Sequence, residues 1–186
     1  TFFTDKMEVF FDYYKKNLIY PDAQPNKAHL ALARLEQEGK LKGVVTQNID
    51  GLQQKAGSHK VYELHGSVLR NYCMDCGEFY DLDYIMNEAN CDKGIPKCSR
   101  CGGVVKPDVV LYEEGLDEDV INGAVNAIAS CDTLIVGGTS LVVYPAAGLI
   151  RYFRGSNMIL INKSETGYDS QADLVIYDSI GKVLGD

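Results

Sequence analysis

Apolar and polar positions along this 186-residue chain follow two periods, and each change of period marks an element. Between Thr4 and Lys16, Met7, Phe10, Phe11 and Tyr14 fall at i, i+3, i+4 and i+7, the spacing of one helix face. Thr4 or Asp5 is its predicted cap, and the aromatic stripe reads as core packing. A second helix opens at Pro25-Asn26-Lys27-Ala28-His29. Asn26 is its predicted N-cap, and the pattern runs through Leu30, Leu32, Ala33 and Leu35 to Gly39 as the C′ residue. His29, in its first turn, reads as a packed or hydrogen-bonded structural histidine. Short aliphatic runs then predict strands at 42–46, 61–64, 109–112, 133–136, 158–161 and 174–177. Helices are predicted at 117–130 and, opened by Pro145 in a permitted first-turn position, at 145–153.

Short buried strands alternating with helices predict an α/β fold: a mostly parallel sheet with helices on both faces. The stretch from Cys73 to Cys101 breaks the pattern, being polar, turn-rich and poor in aliphatics. It is expected to be an inserted module (70–106) in a domain made of 1–69 and 107–186. Lacking enough apolar residues for a core, it needs a metal to hold its shape.

Composition narrows the chemistry. A net charge of −8 disfavours a nucleic-acid backbone as partner. Within Arg70–Lys106 there are five basic residues (Arg70, Lys93, Lys97, Arg100, Lys106) against six acidic ones (Asp75, Glu78, Asp81, Asp83, Glu88, Asp92), which argues against phosphate tracking by this segment. A basic peptide would be attracted. No apolar run approaches the ~20 residues that span a bilayer. The first twenty residues carry Asp5, Lys6, Glu8, Asp12, Lys15 and Lys16, unlike a secretory signal. A reducing, cytoplasmic location is the expectation. The chain begins Thr1-Phe2-Phe3 without an initiator Met, which reads as residues removed or a fragment.

Four of the six cysteines form two C-x-x-C pairs, Cys73-Met74-Asp75-Cys76 and Cys98-Ser99-Arg100-Cys101. Two such knuckles supply four thiolates to a tetrahedral metal with no open position, so the expected metal is one structural Zn2+. Iron held by the same four sulfurs is the alternative. Cys91 and Cys131 read as bystanders or core residues. In an open α/β sheet, ligands bind beyond the carboxyl ends of strands. Three such ends are polar or glycine-rich: Thr46 to Asp50, Gly137-Gly138-Thr139-Ser140, and Asn162-Lys163. Each alone could be an ordinary turn; together they suit a nucleotide-sized ligand. His65 sits at a further strand end, before Gly66. Its spacing leaves structural and general-base roles both open. His59, in a polar loop, reads as solvated.

Four strings, taken in order, resemble the sirtuin family of NAD-dependent protein-lysine deacylases. They are Thr46-Gln47-Asn48-Ile49-Asp50-Gly51, Glu63-Leu64-His65-Gly66-Ser67, the paired C-x-x-C, and Gly138-Thr139-Ser140-Leu141-Val142-Val143-Tyr144-Pro145. Pro25-Asn26-x-x-His29 and Lys106-Pro107-Asp108-Val109-Val110 match as well, so the resemblance covers essentially the whole chain. It implies a Rossmann-like sheet with NAD lying between it and the zinc module. It implies His65 as catalytic base toward a nicotinamide-ribose hydroxyl, with Asn48, Ile49 and Asp50 around the nicotinamide and Gln47 on the ribose. Gly138, Thr139 and Ser140 would meet the adenosine ribose and phosphates, Asn162 and Lys163 the adenosine end, and Ser179 and Ile180 the adenine. Val109, Val110, Tyr112 and Val143 would hold an acylated lysine peptide or protein as an added strand. The implied reaction is a transfer: the acyl oxygen attacks the ribose as nicotinamide leaves, giving free lysine and O-acyl-ADP-ribose. The zinc would only hold its module.

The chain departs from the family in three places. The family's opening Gly-Ala-Gly loop and Ile-Pro-Asp-Phe-Arg segment do not occur in it. If the chain starts at Thr1, the expectation is weak NAD binding, little or no turnover and an unpaired sheet edge, leaving a non-catalytic ADP-ribose or peptide binder as the alternative. Tyr112-Glu113-Glu114 stands where the family often has Phe-Gly-Glu, and Gln53 where many members have His.

Overall fold

The computed structural model describes residues 2–185. The first helical stretch is broken: α1 (Phe2–Asp5) and α2 (Met7–Asn17) are separated by Lys6 at φ −140, whose side chain makes no cap. The expected single helix capped by Thr4 or Asp5 is thus corrected, while Phe11 and Tyr14 of the stripe are fully buried. Helix α3 (Lys27–Gln37) begins at Asn26, whose side chain accepts from the Ala28 and His29 amides while the Asn26 amide donates to His29 Nδ1 at 3.1 Å. That reciprocal cap gives His29 the structural role expected of it. The buried face of α3 is Ala28, Ala31 and Ala33, whereas Leu30 is exposed.

Strand β1 (Val44–Thr46), the short α4 (Leu52–Lys55) and β2 (Val61–Glu63) come next. The cysteine-bearing stretch contains β3 (Gly66–Cys73), β4 (Phe79–Tyr80), α5 (Leu82–Met86), β5 (Cys91–Asp92) and β6 (Ile95–Pro96). Then β7 (Val105–Val109), α6 (Glu118–Ser130), β8 (Thr133–Gly137), β9 (Asn157–Ile161), β10 (Leu174–Ile176) and α7 (Ile180–Val183) complete the order. Asp117 caps α6 through the Val120 amide at 3.0 Å. The helix expected after Pro145 is a tight 3-10 stretch, Ala146–Tyr152.

One strand expectation is corrected. The strand expected at 109–112 runs instead from Val105 to Val109. It belongs to the antiparallel order β4-β3-β7, not to the parallel system. Val105, Pro107 and Val109 face inward, so the pattern that matters is the alternation upstream of the aliphatic pair. Beyond Val109 the chain turns: the Glu114 amide donates to the Leu111 carbonyl at 3.0 Å.

The chain forms two compact units. The first comprises residues 1–23, 48–51 and 65–116. Its core joins Tyr14 and Ile19 to Val68, Ile85, Val105, Val109 and the sulfur-bearing Cys73 and Cys98. The second comprises residues 24–47, 52–64 and 117–186. It carries the parallel pairings: β1 with β2, and β8-β9-β10 in register Val136↔Leu160 and Leu160↔Val175. Its core contains Leu141, Ala147, Ile150, Met158 and Leu160. Among the described residues no helix is long and apolar enough to cross a membrane.

The Tyr14 hydroxyl is buried and has no hydrogen-bond partner among the described residues. Desolvation raises its pKa above the ordinary phenol range. An unsatisfied buried hydroxyl destabilises by about 1–3 kcal/mol, so Tyr14→Phe is expected to leave stability equal or raise it by about 1 kcal/mol. Urea unfolding of the two forms checks this; a clear loss on substitution would contradict it.

Candidate active site and metal centre

The four sulfurs of Cys73, Cys76, Cys98 and Cys101 lie within 4.8 Å of one another. Cys73 and Cys101 are 3.4 Å apart, Cys76 and Cys101 3.4 Å, and Cys76 and Cys98 3.6 Å. A tetrahedral ion with bonds of about 2.3 Å sets its sulfurs about 3.8 Å apart, so the cluster fits one zinc. The knuckle amides make the shape: Gly77 N–H donates to the Cys73 carbonyl at 3.0 Å and Gly102 N–H to the Cys98 carbonyl at 2.9 Å. Cys73 and Cys98 are buried while Cys76 and Cys101 face outward. Four protein sulfurs leave no position for substrate, which makes the centre structural. One contact had no sequence signal: the Tyr80 hydroxyl lies 3.1 Å from Cys98 Sγ and accepts from the Ser99 amide at 2.9 Å. Such outer contacts orient metal ligands.

His65, half-buried, stands at the opposite end of β3 from Cys73. Its carbonyl accepts from the Val110 amide at 3.0 Å, while Gly66 pairs with Val109. Gly66 has φ +75, and a Cβ there would come 1.9 Å from the Asp108 carbonyl oxygen, so only glycine allows β7 this close. The Val68 amide donates to the Ile49 carbonyl at 3.0 Å, and Ile49 packs on the core of this unit. Asn48, Ile49, Asp50, His65, Val109 and Val110 are thereby tied to one antiparallel frame. Asn48 and Asp50 are exposed, and Tyr112 is 98% exposed on the turn that follows.

In the second unit, residues beyond the carboxyl ends of β8, β9 and β10 come side by side. The Gly138 amide donates to the Ile161 carbonyl at 3.0 Å, and the Asn162 amide to the Ile176 carbonyl at 3.1 Å. Thr139 Oγ1 accepts from the Leu141 amide at 3.2 Å, and Asn162 Nδ2 donates to the Ser164 carbonyl at 2.9 Å. Ile180 occupies the space left by Gly137, where a Cβ would lie 2.2 Å from Ile180 Cδ1. Ser179 opens α7, and the neighbouring Asp178 is held below the usual carboxylate range by the Lys182 ammonium bonded to it. Ser140, Lys163 and Val143 are exposed, and Gln47, the residue after β1, is half-buried.

The Sir2 family model matches residues 1–145. The chain belongs to the Sir2 family. A relative from Clostridium perfringens named NAD-dependent protein deacetylase is 67% identical over 100% of this chain and 75% of its own length. One of the same name from Clostridium acetobutylicum is 65% identical over 99% of this chain and 74% of its own. Among solved structures, "Sir2 bound to acetylated peptide" superposes with a TM-score of 0.90 at 35% identity, over 98% of this chain and 78% of that one. "Sir2-p53 peptide-NAD+" gives 0.89 at 35% identity, covering 98% and 77%. This Sir2-family chain therefore has the Rossmann-like α/β fold of those structures, with a cysteine tetrad placed for one zinc ion.

Two outcomes follow from this geometry. Stripping the metal with a strong chelator is expected to release one zinc per chain and to unfold the cysteine-bearing unit, since metal binding here is folding free energy; a zinc dye assay run beside circular dichroism reads both. Gly66→Ala is expected to lower stability by about 3 kcal/mol or more, because backbone must move to admit the methyl group. Thermal unfolding measures that loss.

Proposed function

We propose that this chain is an NAD-dependent protein-lysine deacylase, releasing nicotinamide and O-acyl-ADP-ribose from NAD, water and an acylated lysine. The observation that carries the reading is the relation of His65 to β7. The imidazole-bearing residue is locked by its own carbonyl to Val110, just past the end of β7. The names and bound ligands of the relatives agree with it.

NAD supplies the electrophilic ribose carbon and a leaving nicotinamide. The chain supplies position and proton control. His65 takes the proton of a ribose hydroxyl as that oxygen adds to the former acyl carbon. Asn48, Ile49 and Asp50 surround the nicotinamide, and Gln47 meets its ribose. Gly138, Thr139 and Ser140 offer a glycine turn and two hydroxyls to ribose and phosphate oxygens. Asn162, Lys163, Ser179 and Ile180 receive the adenosine end. Val109, Val110, Tyr112 and Val143 hold the peptide, largely through its backbone. The zinc, held by Cys73, Cys76, Cys98 and Cys101, takes no part in the chemistry. A four-thiolate centre requires reduced cysteines, which supports a cytoplasmic site of action.

The test is nicotinamide release from NAD with and without an acetyl-lysine peptide. Release is expected to depend on the peptide and to fall about 10²- to 10⁴-fold in His65→Ala, the usual contribution of a general base. Peptide-independent release, or an undiminished variant, would overturn the assignment.

A further inference from the structure

We propose that Asp169 is a positioning residue for the adenosine end of the cofactor: its carboxylate ties the loop after β9 to the exit of β10, and so fixes where Asn162 and Lys163 stand relative to Ser179 and Ile180. This rests on the cofactor placement in the reading above. Asp169 lies outside the groups assigned there, because its oxygens are taken by the protein. Oδ1 accepts from the Thr166 hydroxyl at 2.6 Å and from the Thr166 amide at 3.0 Å, and Oδ2 accepts from the Tyr177 hydroxyl.

Those three bonds join segments that the ladder leaves apart. Asn162 is the first residue after β9 and Tyr177 the first after β10, two residues before Ser179 opens α7. The backbone links these ends once, through the Asn162 amide and the Ile176 carbonyl. Beyond that bond the chain runs out into solvent: Lys163, Ser164, Glu165 and Gly167 are exposed. Thr166 alone in this stretch is buried, and a buried polar residue stays where its hydrogen bonds hold it. Its hydroxyl oxygen also accepts from the Tyr168 amide at 3.2 Å, so the turn closes around the Asp169 carboxylate. Tyr168 in turn packs on the core that contains Leu141, and a hydrogen bond with Tyr144 pushes its phenol up, which brings the exit of β8 into the same bracket. The Thr166 hydroxyl, and then that of Tyr177, hold Asp169 below the usual carboxylate range, so the bonds are made by a charged acceptor at neutral pH, the stronger kind. Without that carboxylate the exposed loop regains conformational freedom, which cofactor binding must then remove. The cost falls on any ligand that carries the adenosine end, and not on the chemistry at the nicotinamide.

Calorimetric binding of ADP-ribose, beside steady-state kinetics with NAD and an acetyl-lysine peptide, tests the proposal. The parent chain is compared with Asp169→Ala, Asp169→Asn and Tyr177→Phe, each below its unfolding midpoint. Asp169→Ala is expected to weaken ADP-ribose binding and to raise the KM for NAD by about 10-fold each. Its kcat and its KM for the peptide are expected to stay within about 2-fold of the parent. Asp169→Asn keeps an acceptor for Thr166 and is expected to recover most of the loss. Tyr177→Phe is expected to weaken ADP-ribose by about 3-fold and to add nothing to Asp169→Ala, since the two share one link. Unchanged ADP-ribose affinity in Asp169→Ala, or a loss that falls equally on kcat and the peptide KM, overturns the positioning role and leaves the deacylase reading in place. Weakening as expected, in a parent chain that releases no nicotinamide with the peptide, keeps the positioning role and overturns the deacylase reading. No binding of ADP-ribose by the parent chain overturns both.

Discussion

Four thiolates gathered within 4.8 Å of one another can be desolvated only if a cation shares their charge. That constraint reaches well beyond the cysteines. Cys73 is the last residue of β3, and Val105, which opens β7, pairs with it. A metal held there would clamp one end of the β3–β7 pair. The other end of the same pair holds Gly66 against Val109 and the His65 carbonyl on the Val110 amide. Eight residues of strand, roughly 26 Å at 3.3 Å each, carry the restraint from the sulfurs to the candidate base. An ion held by these sulfurs would thus set the frame in which His65 is held.

The sulfur cluster also substitutes for apolar area. Cys73 and Cys98 count among the buried residues of the first unit's core, beside Tyr14, Ile85 and Val105. Half of the ligand set is packed and half faces outward. Each buried sulfur does two jobs, as ligand and as a small hydrophobe, and loss of the ion would open this core while leaving charged sulfur inside it.

Much of this was legible in the chain itself. The C-x-x-C pairs announced the metal because knuckle spacing is a local property. The strand ends after Val136 and Ile161 were legible because short aliphatic runs meet polar residues there, and the structure bonds the Gly138 amide to the Ile161 carbonyl. The antiparallel β7 is not legible in the same way, because Lys106-Pro107-Asp108 hides an inward alternation of Val105, Pro107 and Val109. The break at Lys6 leaves no mark in the sequence, since the apolar spacing runs on without interruption. No local pattern could show that Tyr14 and Ile19, distant in sequence, would complete the core around Cys73 and Cys98, or that the Tyr80 hydroxyl would lie 3.1 Å from a ligand sulfur. Those are choices of tertiary packing, to which periodicity is blind.

Pro107 sits in the middle of β7, paired opposite Asn71 at the end of the order β4-β3-β7. Proline has no amide hydrogen to donate, so a foreign strand cannot zip along the whole of β7. Edges interrupted in this way resist self-association between chains. Past the proline the edge is closed by side chains instead: the Lys106 ammonium sits on the Pro107 and Val109 carbonyls and the Glu114 carboxylate on the Leu111 amide, so imino acid and ion pair together seal one rim of the unit.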